Sequence, residues 1–180
     1  MLRTTLHVCL LALFLSPGAA SASGIPVAME AAALPAYQVV GDGLAVGGQP
    51  APETLARLKE LGFKTVVSLR PEAEGPAEEK DLVDKQGLRF VRVPVTPDTF
   101  RAADADAVAA VLDDPKDAPV LLHCSSSNRA GAVLAVLEAR KGKSADAAIE
   151  RGIELGLLKP EMIEAVRRVI AGEAKESAEE

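Results

Sequence analysis

The apolar positions of this chain switch repeatedly between two spacings. After Pro52 they recur at Leu55, Leu58 and Leu61, one face of a helix over Glu53–Leu61 that Gly62 stops. From Phe63 to Leu69 they crowd into a short β-branched run, the profile of a buried strand. The exchange repeats downstream. Arg70 to Pro76 reads as loop, and Ala77 to Gln86 as a charged helix ended by Gly87, with Glu78–Asp81 as its solvated face. Leu88 to Val95 alternates as a strand, with Arg92 as a surface charge. Ala102 to Leu112 is an Ala-rich helix, and Ala118 to His123 an apolar central strand. Helices follow at Arg129–Arg140, at Ala145–Leu155 behind Ser144 as cap, and at Pro160–Ala171 with proline at its start. Upstream, Tyr37–Val40 and Leu44–Val46 flank Gly41-Asp42-Gly43, a hairpin signal. Strands alternating with helices predict an α/β fold, a mostly parallel sheet of four or five strands flanked by helices.

The two ends read differently. Met1-Leu2-Arg3, the apolar run from Leu6 to Leu15 and the small residues Ala20-Ser21-Ala22 describe a secretory signal cleaved after Ala22. Pro17-Gly18 interrupts the run short of the about 20 apolar residues that span a bilayer. The expected product is therefore periplasmic or secreted, without stable membrane insertion. Residues 23–36 read as a flexible leader, 37–172 as one folded domain and 173–180 as a disordered acidic tail.

Charge narrows the partners. Residues 1–22 hold one charged side chain, Arg3, so their removal leaves 19 basic against 26 acidic residues. That balance excludes a general nucleic-acid binder, which shows a basic footprint. The same cleavage removes Cys9 and His7. One cysteine and one histidine remain, Cys124 and His123, side by side, and no intrachain disulfide is possible.

What surrounds that lone thiol carries the chemistry. In Val120-Leu-Leu-His-Cys124-Ser-Ser-Ser-Asn-Arg129 an apolar strand runs into a small polar loop and then into a helix. Ligands of open α/β sheets bind at the carboxyl ends of strands. Ser125, Ser126, Ser127 and Asn128 are small enough for successive N–H groups to face inward as an anion nest. The helix start adds free amides and a positive dipole end. Arg129 adds a planar fork matched to two oxygens of a phosphate or sulfate. The same donors favour the thiolate of Cys124, which makes it a nucleophile. Neighbouring residues of a strand point to opposite faces, so His123 is expected to support the loop through hydrogen bonds rather than act as the base for Cys124.

His-Cys-Ser-Ser-Ser-Asn-Arg-Ala-Gly resembles the cysteine loop of the protein tyrosine phosphatase superfamily. A second block, Gly48-Gln49-Pro50, the following helix, Gly62 to Pro71 and Glu74-Gly75, is similar to the bacterial phosphatase-like domain of beta-lactamase-hydrolase-like fusions. The resemblance covers residues 37 to 140 and implies a dual-specificity-phosphatase-like fold, a cysteinyl-phosphate intermediate, a phosphorylated protein or small molecule as substrate, and neither metal nor other cofactor. It departs from the wider superfamily in three places. Four residues rather than five separate Cys124 from Arg129. Ser127 replaces a common glycine and resists a positive φ. Ala130 stands where many phosphatases keep a hydroxyl that helps the sulfur leave.

Two supporting roles follow. A phosphatase needs an acid to protonate the leaving oxygen, worth roughly 10²–10⁴-fold. The resemblance puts it after the strand ending at Val95, where Asp98 is the candidate; Asp98 also reads as a turn residue. Asp104 and Asp106 suit the first turn of a helix. Arg70, at the end of its strand, either holds the substrate anion, braces the cysteine loop or pairs with Glu72, Glu74 or the sheet rim. Two further readings of the whole stay open: a rhodanese-like sulfurtransferase carrying a persulfide on Cys124, and an exported anion-binding or regulatory module without turnover.

Overall fold

All four residues of β5 (Val120–His123) are buried, because this strand lies at the centre of the sheet. The computed structural model describes residues 34–41 and 43–179, with side chains as far as 174. The expected signal over 1–22 lies outside the described residues, as does most of the expected leader. β5 pairs in parallel with β2 (Leu44–Gly47) on one side and β3 (Thr65–Ser68) on the other. β1 (Gln38–Gly41) closes one edge as the antiparallel arm of the hairpin, and β4 (Arg89–Arg92) lies parallel at the other. The order is β1-β2-β5-β3-β4, five strands, with one antiparallel pair in an otherwise parallel sheet.

Alternation along the central strands feeds two apolar layers. Leu122 and Val67 face α3 (Ala102–Leu112), α4 (Asn128–Arg140) and α6 (Pro160–Glu179), while Leu121 and Val66 face Leu55, Leu58, Phe63 and Val83. Each such side chain contributes about 1.5–3 kcal/mol by leaving water. The helix α4 is buried on nearly every residue from Asn128 to Val136, since α5 (Ala145–Glu154) and α6 pack against it. This gives the residue before it, the end of the cysteine loop, little freedom to move.

The structure corrects the expected elements in three places. The helix expected over Glu53–Leu61 forms only one turn as α1 (Pro52–Leu55). There the side chain of Gln86 inserts: its Nε2 donates to Leu55 O at 2.5 Å and its Oε1 accepts from Lys59 N–H at 3.1 Å. Those are the two backbone groups that would have bonded to each other in a continuing helix. The leader expected to be flexible is fastened where it is described: Leu34 is fully buried, and Pro35 O accepts from Gly48 N–H at 2.6 Å. The tail expected to be disordered continues α6 to Glu179, past Gly172, where Arg140 Nη2 holds Glu173 at 2.7 Å.

Among the described residues, no helix is long and apolar enough to cross a membrane.

Candidate active site

The register of the sheet brings Gly47, Ser68 and His123 level at the carboxyl ends of three neighbouring strands. Cys124 follows directly, with no exposed surface, at the margin of the larger apolar layer. Its loop is stitched to the segment after β2, where Gln49 N–H donates to Ser125 O at 3.2 Å. A Cβ on Gly48 would lie 2.9 Å from that same oxygen, so only glycine allows this approach. The Gly-Gln-Pro block is thereby explained as the loop's floor.

Ser127 ends the loop in the left-handed region, φ 68°, ψ −10°, the conformation that a glycine would reach without strain. Its buried hydroxyl donates to Leu155 O at 2.8 Å, which offsets part of that strain. Asn128 is likewise committed: its Oδ1 accepts from Leu158 N–H at 2.7 Å and Lys159 N–H at 3.1 Å. Both were expected at the substrate, and neither side chain is available to it. Their backbones are. The first bond of α4 runs from Gly131 N–H to Ser127 O, so the N–H groups of Ser127, Asn128, Arg129 and Ala130 have no acceptor within the helix. Ser125 and Ser126 keep exposed side chains at the rim.

Arg129 turns inward. Its Nη1 donates to Leu69 O at 3.2 Å and Val95 O at 3.4 Å, which ties the loops after β3 and β4 to the cysteine loop. Its Nη2 lies 2.9 Å from both oxygens of Glu74 and 2.9 Å from Ser125 Oγ. Glu74 comes from a 3-10 turn, Glu72–Glu74, within the expected loop. Burial pushes its carboxyl pKa up, but hydrogen bonds from Arg129 and Ser125 and the charges of Arg129 and Arg70 outweigh this and hold it below the ordinary value.

Of the roles open to Arg70, the structure shows the pairing with Glu74, and adds one with Glu79. Its Nη1 lies 3.2 Å from Glu79 and its Nε 3.5 Å from Glu74, and Nη2 donates to Glu74 O. Its two terminal nitrogens thus hold it to Glu79 and Glu74 behind the loop, while Nε makes no hydrogen bond. His123 sits beneath, fully buried, with Nδ1 3.3 Å from Cys124 O and Nε2 against Glu79.

Asp98 lies in the turn after Val95 and is exposed. That turn is closed by Thr96 and Thr99, whose side chains bond each other at 2.9 Å, and by Phe100 N–H to Thr96 O at 3.0 Å. The start of α3 is served by Asp104, whose Oδ2 accepts from Arg101 N–H at 2.9 Å. Asp98 thus has no hydrogen bond or ion pair among the described residues. Arg92, read as a surface charge, pairs with Glu72.

Sequence reasoning named Glu74 as a partner of Arg70 but missed its contact with Arg129, and missed Glu79 altogether. Glu79, assigned to a solvated face, is 2% exposed. Its one signal was a spacing of four from Val83, the buried apolar residue of α2 (Ala77–Asp84).

A strand–cysteine loop–helix unit at the carboxyl edge of this sheet, with an arginine closing the loop, defines the cysteine-phosphatase-like fold. Within it, the chain belongs to the family described as a DSP-PTPase phosphatase fused to NAD+ kinase, whose model matches residues 41–160. A beta-lactamase hydrolase-like protein of Agrobacterium fabrum is 28% identical over 109 residues, 58% of this chain but 25% of the relative's own length. Among solved structures, a DUF442 protein from Shewanella putrefaciens superposes with TM-score 0.62 at 24% identity, covering 78% of this chain and 92% of that one. The catalytic core of the PP-IP phosphatase SIW14 from S. cerevisiae gives 0.63 at 17% identity, covering 81% and 92%.

Proposed function

We propose that this protein hydrolyses phosphate monoesters, protein phosphotyrosine among them, through a cysteinyl-phosphate intermediate. The observation that carries the reading is the seating of Cys124 under a loop whose N–H groups have no helical acceptor and whose far end is Arg129. Amides and a guanidinium aimed at one point stabilise the extra negative charge of a phosphoryl group in transfer. In the first step the sulfur of Cys124 bonds to phosphorus as the ester P–O bond breaks, and Asp98 gives the departing oxygen its proton. In the second, water attacks phosphorus, the S–P bond breaks and inorganic phosphate leaves, with Asp98 taking the proton from water. Arg129 must turn part of its fork from Glu74 to the phosphoryl oxygens for either step.

The test is turnover of p-nitrophenyl phosphate and a panel of phosphopeptides by the protein and by Cys124→Ser. Turnover in the first and none in the second is expected. If neither acts on any ester of the panel, catalysis by Cys124 is wrong. Export is part of the same proposal, resting on residues 1–22: the protein recovered from the envelope or medium is expected to begin at Ser23, and an intact Met1 in cytoplasmic extract would contradict it.

A further inference from the structure

The cysteine loop starts at His123 and ends at Arg129, and one chain of polar side chains ties the two ends together. From His123 it passes to Glu79, then Arg70, then Glu74, then Arg129. Glu79 is its most buried carboxylate, 2% exposed. Its Oε2 accepts from Ser68 Oγ at 3.3 Å and from Arg70 Nη1 at 3.2 Å, while its Oε1 faces His123 Nε2. An unpaired carboxylate so deeply buried would be costly. Burial pushes the Glu79 pKa up, yet the closeness of His123 and Arg70 holds it below the ordinary value.

The other ring nitrogen meets the backbone of Cys124. His123 Nδ1 lies 3.3 Å from Cys124 O, and a carbonyl oxygen only accepts, so Nδ1 must donate. In a trans peptide the C=O and the following N–H point in opposite directions. Pinning the Cys124 carbonyl beneath the loop therefore sends the Ser125 N–H the other way, toward the seat of the anion. Among the described residues that N–H has no backbone acceptor.

We propose that Glu79 is a positioning residue for the nucleophilic loop, acting through His123: its carboxylate holds the ring so that Nδ1 donates to the Cys124 carbonyl and the Ser125 N–H faces the bound anion. The inference rests on the nucleophilic role given to Cys124 above, but its readouts need no turnover.

The full chain is treated with iodoacetamide at one fixed pH, and alkylation of Cys124 is followed by peptide mass spectrometry. In parallel, the Ser125 amide resonance is followed as inorganic phosphate is added. Glu79→Gln is expected to slow alkylation about fivefold, the factor for one net hydrogen bond, and to shrink the phosphate-induced shift of Ser125. In a His123→Asn background, where the relay is cut, Glu79→Gln is expected to change neither. Wild-type behaviour of Glu79→Gln in both readouts overturns the proposal, and so does an equal loss in the His123→Asn background. Should Glu79→Gln not fold, Glu79→Asp keeps the charge but shortens its reach, and unchanged alkylation in that variant is equally fatal. A wild-type protein that hydrolyses nothing, while Glu79→Gln still slows alkylation, would sink the phosphatase reading and leave this one standing.

Discussion

Arg129 holds the carboxylate of Glu74 through a single nitrogen, Nη2, at 2.9 Å from each oxygen, across a separation of fifty-five positions in the chain. The pair sets how the loop is held. It also makes stability depend on pH. A carboxyl whose folded pKa lies below its unfolded value contributes fully above the unfolded value and loses that contribution as pH falls through the folded one. For Glu74 the reference is 4.5 and the folded value is lower. The difference in melting temperature between the protein and Glu74→Gln should thus be constant above about pH 5.5, one unit over that reference, and shrink steadily below pH 4.5. A difference that grows on acidification would contradict the pairing.

Ser127 meets Gly156 closely enough that a Cβ on the glycine would lie 2.8 Å from Ser127 Cβ, and Gly156 has φ +104°. Gly156→Ala therefore adds a clash to a strained backbone, about 2 kcal/mol or more. By calorimetry the melting temperature should fall by roughly 4–8 °C for a domain of this size. Ser127→Ala loses the bond to Leu155 O and keeps the left-handed strain, at about 1–3 kcal/mol. Ser127→Gly loses the same bond but relieves the strain by about 1 kcal/mol, so it should melt above Ser127→Ala.

Asp98 stands free of structural bonds, and its variants should reveal a chemical role through the leaving group. p-Nitrophenolate departs without a proton, whereas an alkoxide does not. Asp98→Asn is expected to lower turnover of an alkyl phosphate by roughly 10²–10⁴-fold and that of p-nitrophenyl phosphate far less. Equal losses on both substrates would mean that another group supplies the proton.

Ala130 is fully buried at the start of α4 and offers the cysteine no hydroxyl. Breakdown of the phosphoenzyme should then be the slow step, seen as a burst of p-nitrophenol before the steady rate in a stopped-flow trace. Ala130→Ser is expected to raise the steady rate several-fold and diminish the burst, with its initial rate unchanged. A steady rate that does not change would place the slow step elsewhere.

The sequence by itself determined the sheet, the cysteine loop and the helix behind it, because those features are local. An apolar run such as Val120–Leu122 is buried in any α/β context, and a small polar stretch between strand and helix leaves its amides free wherever it occurs. Cys124, Arg129 and the free amides between them belong to that one stretch. Tertiary structure alone decided the fate of the charges and of single polar groups. Glu78 and Glu79 are adjacent and alike in sequence, yet one is exposed and the other buried against His123 and Arg70. Gln86 cuts short a helix that ends at Leu55, thirty-one positions upstream, by taking its backbone partners. The burial of a carboxylate is settled by which cations and hydroxyls reach it, and those arrive from strands and turns that only the folded chain brings together.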